Sequence, residues 1–176
     1  MGVPQGSHLG PVLFLLFIND LPNSINYSKL LMYADDVKLL ISHNCDKQSS
    51  FLQNDLDSLF QWCRLNCMDL NLSKCKHMCF SRSSSLILQY NIDGHSLSTV
   101  DSFVDLGLLM DPKLNFNSHV ITMVNKANGV LGFVKRWAKE FSDPYITKQL
   151  FTSPVRPLSE YGSVVWDPQY AIYSDK

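Results

Sequence analysis

The sequence has no long apolar run. Its longest, Pro11–Ile18, is eight residues, far short of the ~20 a membrane-crossing helix needs. A short apolar run of this kind reads as a buried helix. No secretory leader is visible either. Cysteine is sparse and odd in number, five in 176 residues, which argues for free thiols rather than a disulfide framework. An excess of positive charge is also missing. Fifteen Lys and Arg face sixteen Asp and Glu for a net charge of −1, which by itself argues against a nucleic-acid binder. Internal repeats and low-complexity linkers are absent. What remains, 45% hydrophobic and 18% charged residues, is the composition of an ordinary globular, intracellular chain of one domain or two small ones.

The charges that are present are unevenly spread. Residues 1–60 carry three Lys/Arg and six Asp/Glu, a balance of −3. Residues 112–157 carry seven basic residues (Lys113, Lys126, Lys135, Arg136, Lys139, Lys148, Arg156) and two acids (Glu140, Asp143), a balance of +5. Lys135, Arg136 and Lys139 fall within little more than one helical turn. A basic helical face is a candidate nucleic-acid surface, and just as readily a solvated one.

Leu30–Ile41 contains two short apolar runs around adjacent carboxylates, Asp35 and Asp36. The pattern predicts a β-hairpin with the acids at its tip. Neighbouring side chains on a strand point to opposite faces, so adjacent acids converge only at a bend. Two like charges about 4 Å apart repel by roughly 4 kcal/mol at an effective dielectric near 20. A hard cation such as Mg²⁺, bound through one or two carboxylates plus substrate phosphates, removes that cost. The alternative is a solvated turn, since Asp favours turns.

Periodicity assigns other elements. Gly2, Pro4, Gly6 and Gly10 mark a loop, and Pro11 opens the apolar helix. Asn44–Asn66 reads as an amphipathic helix with Leu52, Leu56, Leu59, Phe60 and Cys63 inward and Asp55, Asp57 and Gln61 outward. Asp69–Phe80 reads as loop and strand. Leu86–Ile92 and His95–Val100 flank Asp93-Gly94, a hairpin signal. Phe103–Asp111 reads as one more strand. Asn117 or Ser118 is placed to cap a long helix with an apolar stripe from Val120 to Ala138. Asp143-Pro144 is an N-cap and first-turn signal for another helix. Cys63, Cys67, Cys75 and Cys79 with His77 invite a zinc reading. Cys63 and Cys67 at helical spacing, and Cys75 and Cys79 in a strand-like stretch, fit buried thiols better.

Tyr33-Ala34-Asp35-Asp36 resembles the catalytic hairpin of reverse transcriptases. Gly2-Val3-Pro4-Gln5-Gly6-Ser7, Leu9-Gly10-Pro11 and Ile18-Asn19-Asp20-Leu21-Pro22 resemble the second palm motif of non-LTR (LINE-type, jockey-like) retrotransposon polymerases. Leu59-Phe60-Gln61-Trp62-Cys63, Asn71-Leu72-Ser73-Lys74-Cys75-Lys76, Leu106-Gly107, Val155-Arg156-Pro157, Glu160-Tyr161 and Trp166 follow in the family's order.

The resemblance implies an α+β fold. A right-hand polymerase palm, an antiparallel sheet with packed helices, would occupy residues 1–111. A helical thumb would occupy 112–167 and a tail 168–176, the whole being truncated at both ends. It implies two-metal nucleotidyl transfer with Mg²⁺ or Mn²⁺ on Asp35 and Asp36. Pro4, Gln5, Gly6 and Tyr33 would lie around the incoming nucleotide and template. Lys74 would stand near the departing pyrophosphate, with Lys76 as a competing candidate. Leu106 and Gly107 would form the primer grip, and Lys135, Arg136 and Lys139 would touch nucleic acid. RNA template, DNA primer and dNTP are the implied partners, with no membrane, and the implied location is nuclear. The family's first catalytic Asp has no counterpart, so the chain is expected to be inactive alone. The alternatives are a non-catalytic nucleic-acid-binding or interaction remnant of a mobile element and a decayed fragment.

Overall fold

The computed structural model describes residues 6–42, 47–81, 88–139 and 143–166. They form two compact units, one from residues 6–42, 47–77 and 88–99, the other from 78–81, 100–139 and 143–166.

In the first unit, α1 (Gly10–Phe17) leads through a 3₁₀ turn at Leu21–Ser24 into the antiparallel pair β1 (Lys29–Tyr33) and β2 (Asp36–Leu40). Helix α2 (Lys47–Leu65) follows. Three two-residue strands come next: β3 (Lys76–His77), then β4 (Asn91–Ile92) and β5 (His95–Ser96), antiparallel across Asp93-Gly94. A further short strand, β6 (Ser98–Thr99), pairs in parallel with β3. Asp93 and Gly94 both have positive φ, 51° and 76°, the type I′ geometry that the Asp-Gly pair favours. Two apolar clusters hold this unit. Ile18, Leu21, Leu59, Trp62 and Cys63 form one, with Phe14, Leu30, Val37 and Leu39 packed on it. Leu52, Leu56, Tyr90 and Ile92 form the other.

The second unit contains β7 (Phe103–Asp105) and β8 (Leu108–Met110), paired antiparallel, then α3 (Asn117–Ala138), α4 (Pro144–Thr152), α5 (Arg156–Glu160) and α6 (Ser163–Trp166). Its core is Leu108, Val120 and Trp166, with Phe116, Met123 and Val124 against them. Asp143 caps α4 as the sequence predicts, its Oδ1 accepting from the Tyr145 N–H at 2.8 Å.

Helices and antiparallel hairpins are mixed, as expected of an α+β chain, but several expectations are corrected. The described strands form four separate two-stranded sheets, one of them parallel, rather than one antiparallel sheet. Phe103–Asp111 is two strands around a turn at Leu106-Gly107. The long helix begins after Phe116 with no side-chain cap, so neither Asn117 nor Ser118 caps it. Cys67 lies past the end of α2 at φ 53°, off the face that carries Cys63, and neither Cys75 nor Cys79 lies within β3. The Leu86–Ile92 expectation falls partly outside the described residues.

Two burial expectations are reversed. Helix α1 is not buried: Gly10, Phe14 and Ile18 face the core while Leu9, Val12, Leu13 and Leu16 are exposed. A helix apolar all round offers only one stripe to the packed side. Asp55 does not face out; it is 0% exposed.

Candidate active site

The hairpin closes on the pair Tyr33↔Asp36, leaving Ala34 and Asp35 as a two-residue turn. Ala34 has φ 52° and Asp35 does not share the positive sign, the φ pattern of a type II′ turn. Cross-strand register sorts the hairpin into two faces. Leu30, Met32, Val37 and Leu39 share one, and Leu30, Val37 and Leu39 pack on the core cluster of Ile18, Leu21, Leu59, Trp62 and Cys63. Tyr33 and Asp36 share the other face with Lys29, Leu31, Lys38 and Leu40. Tyr33, Asp35 and Asp36 are all exposed. The core contact of one face thus presents adjacent carboxylates and an aromatic ring outward on the other.

The segment entering β1 is fixed from α2. The Asp55 carboxylate lies beneath it. Its Oδ1 accepts from the Asn26 N–H at 2.9 Å, and its Oδ2 accepts from the Tyr27 N–H at 3.0 Å, the Ser28 N–H at 2.6 Å and the Ser28 hydroxyl at 2.7 Å. Burial alone would raise its pKa. The Ser28 hydroxyl and the three backbone N–H groups outweigh that and hold it below the usual carboxylate value. Sequence reading placed Asp55 outward, yet it lies on the Leu52–Leu56–Leu59 stripe, and an acid on an apolar stripe is itself a signal of a buried acceptor.

Lys74 is exposed in the turn after α2, and its side chain donates to no other among the described residues. Lys76 is engaged, its Nζ donating to Ser98 Oγ at 3.0 Å. Gly6 has φ 80° with open space around it; Pro4 and Gln5 lie outside the described residues. No three His, Cys, Asp or Glu side chains converge among the described residues. The hairpin therefore offers two adjacent hard-oxygen ligands. That donor set fits Mg²⁺ or Mn²⁺ completed by water and substrate phosphate; it does not fit zinc, whose closed sites need four N or S ligands. Burial pushes up the pKa of both Cys63 and Cys75; nearby Cys75 adds to the rise at Cys63, and Lys76 partly offsets it at Cys75.

In the second unit, Leu106 and Gly107 both have positive φ, 45° and 85°, a type I′ turn with a leucine where glycine or asparagine is usual. Tyr161 holds it. The Tyr161 hydroxyl donates to the Leu106 carbonyl at 2.6 Å, and the ring covers Gly107 so closely that a Cβ there would sit 3.0 Å from Cε1. Trp166 Nε1 donates to the Tyr161 carbonyl at 2.7 Å. Trp166 also lies beside His119, whose Nδ1 accepts from the Leu109 N–H at 3.2 Å. Lys135 and Arg136 lie in the last turn of α3 and Lys139 just beyond it, all three exposed.

The reverse transcriptase (RNA-dependent DNA polymerase) family matches residues 1–134, about three quarters of the chain. The chain belongs to this family. It is 29% identical over 178 aligned residues, 94% of its length, to a probable RNA-directed DNA polymerase from transposon BS of Drosophila melanogaster, of which the match spans 20%. Over 69% of its length it is 31% identical to the RNA-directed DNA polymerase from mobile element jockey of Drosophila funebris, spanning 14% of that protein. A 25% identical relative is a Pol polyprotein from the type-1 element R1 of Bradysia coprophila. The chain thus spans a fifth or less of the length of these relatives. No solved structure gives a significant match. The matched region of this reverse transcriptase segment contains the Asp35-Asp36 hairpin, Asp55, Lys74, the Leu106-Gly107 turn and α3 as far as Val134. Tyr161 and Trp166, which brace that turn, lie beyond it, and nothing in their spacing announces the contact.

Proposed function

We propose that this chain supplies part of the polymerase of a non-LTR retrotransposon, copying RNA into DNA, with the first unit's hairpin as the palm's metal-binding element and α3 as a thumb helix. The observation that carries this reading is the hairpin itself. Its apolar face packs on the Ile18–Leu21–Leu59–Trp62–Cys63 core, and its outward face and turn present Tyr33, Asp35 and Asp36. Asp35 and Asp36 would hold Mg²⁺ or Mn²⁺. When bound, the ions would supply charge stabilisation for the oxygens that attack and leave the α-phosphate. Tyr33, with Pro4, Gln5 and Gly6, would border the dNTP and template base. Lys74, exposed and uncommitted among the described side chains, would stabilise charge on the departing pyrophosphate better than Lys76, which Ser98 holds. Leu106 and Gly107 would support the primer end, and Lys135, Arg136 and Lys139 would contact phosphates. The work would take place in the nucleus.

The chain alone gathers two carboxylates at this site among the described residues, so it should bind metal weakly and not extend a primer. Mn²⁺ titration followed by NMR tests the assignment. Paramagnetic broadening should begin at Ala34–Val37 and vanish in Asp35→Ala. Broadening elsewhere, or unchanged in that variant, sinks the metal role. A primer-extension assay with an RNA template should show no incorporation above the Asp35→Ala control.

A second reading is a nucleic-acid-binding remnant without catalysis. The observation favouring it is that α3 carries four cations and no acid from Asn117 to Lys139. Retained RNA binding together with absent metal binding would select it.

A further inference from the structure

Helix α3 displays an aromatic pair that the core does not use. Phe133 and Trp137 are four residues apart, so they share a face. Their rings lie 6.0 Å apart at 50°, and the side chains are 53% and 51% exposed. The chain's other two tryptophans, Trp62 and Trp166, are buried at 8% and 7%. Helical side chains lean toward the N-terminus, and there the surface beside the rings is clear. A Cβ on Gly129 would meet nothing within 4 Å, and one on Gly132 would meet only the Arg136 guanidinium at 4.0 Å.

The surroundings select the partner. Arg136 flanks the pair and Lys126 lies two turns back on the same face, whereas Lys135, two residues from each ring, and Lys139 lie toward the far side of the helix. None of the four forms a salt bridge among the described residues. The nearby elements contribute two described acids, and both are engaged: Glu160 with Arg156 at 2.6 Å, and Asp143 with the Tyr145 N–H. An apolar protein partner pressed onto this face would desolvate cations without pairing them, which is costly. A polyanion with flat apolar faces satisfies both the charge and the rings.

We propose that Phe133 and Trp137 form a stacking platform for unpaired bases of a single-stranded nucleic acid, whose phosphates are held by Arg136 beside the rings and Lys126 two turns back on the same face. This rests on the reading of α3 as a nucleic-acid surface and adds to it the strandedness of the ligand. Bases within a duplex keep their faces covered; only a single strand offers them to a protein ring. Stacking is indifferent to salt, whereas phosphate contacts release counterions and weaken as salt rises.

Intrinsic fluorescence of the full chain, with Trp137 as its one exposed tryptophan, and anisotropy of a fluorescein-labelled unstructured RNA strand test this. A single strand should quench Trp137 emission and bind at least tenfold tighter than a duplex of equal length. The double change Phe133→Ala and Trp137→Ala should cost about tenfold or more in affinity and leave the slope of log K against log salt unchanged. Trp137→Phe should retain binding. Changing Lys126 and Arg136 to Ala should instead flatten the slope, by roughly 0.7 per lost phosphate contact. Salt-dependent binding that ignores the aromatic changes overturns the platform while leaving α3 a phosphate-binding surface. Absence of binding to either form overturns both. Self-association that disappears in the aromatic variant, without any effect on RNA, assigns the face to a second copy of the chain instead.

Discussion

Replacing Asp55 by alanine strands four donors, three backbone N–H groups and a serine hydroxyl, in a place where the carboxylate is 0% exposed. Bonds to a charged acceptor contribute more than neutral ones, and unpaired donors are costly to bury. Asp55→Ala should therefore lower stability by about 3 kcal/mol in urea denaturation. Asp55→Asn should do little better, because its amide nitrogen would face N–H donors. The folded-state pKa of Asp55 is lowered from 3.8. Its contribution is thus fully present above that value and is lost as pH falls below 3.8 through the folded pKa. An acid titration of the wild type and Asp55→Asn, read by circular dichroism, should show the wild type losing its advantage in that range. His119 titrates in a different window. Burial, and then Lys126, push its pKa below 6.5, so its neutral form is favoured in the fold. Stability is full above 6.5 and declines as pH falls below it, when a proton on Nδ1 would confront the Leu109 N–H. The protection of the Leu109 amide, the slowing of its exchange relative to that of the free chain at the same pH, should fall on acidification in the wild type and much less in His119→Asn.

At the scale of elements, legibility followed the range of the determining contact. The Asp93-Gly94 turn, the Asp143-Pro144 start of α4 and the Tyr33–Asp36 hairpin were readable because their causes lie within four residues. The β7–β8 turn was not. Its first residue is a leucine at φ 45°, and it is held by a tyrosine hydroxyl 55 positions away. The burial of Asp55 was missed for the same reason, since its ligands are 27 to 29 positions distant. Among the proposed site residues, the placement of Asp35 and Asp36 at the end of the hairpin is legible from the two apolar runs that flank them, whereas the Lys76–Ser98 contact that separates Lys76 from Lys74 is not. Glycine substitutions resolve local from distant causes. Gly94→Ala meets open space but a φ of 76°, so it should cost about 1 kcal/mol. Gly107→Ala adds the Tyr161 ring at 3.0 Å to a φ of 85° and should cost about 2 kcal/mol. Changing Tyr161 to Leu should shrink that difference. Gly129, in helical backbone with nothing near its missing Cβ, should gain about 0.5–1 kcal/mol when changed to Ala. Thermal melts of the three variants would rank them; a destabilising Gly129→Ala would show that α3 is held otherwise than described.

Outside the three small cores, large apolar side chains lie exposed among the described residues. Leu9, Val12, Leu13 and Leu16 of α1 and its approach are 66%, 52%, 48% and 68% exposed and lie at helical spacing on one stripe. The opposite stripe, Gly10, Phe14 and Ile18, faces the Leu21–Leu59–Trp62 cluster. Sequence could reveal that this helix is apolar all round, but not which stripe finds a partner, because that depends on which other elements the chain brings to it. Contiguous apolar patches of this kind promote association and dye binding. Changing Leu9, Val12, Leu13 and Leu16 together to glutamine should thus lower hydrophobic-dye fluorescence and raise solubility. The unfolding midpoint should change little, since exposed substitutions usually stay within about 0.5 kcal/mol each. Phe14→Ala should do the reverse, costing about 2–3 kcal/mol as a partly buried aromatic removed from a core with no gain in solubility. If the fourfold glutamine variant unfolds instead, the exposed stripe is packed in solution and α1 lies deeper in the fold than its exposure indicates.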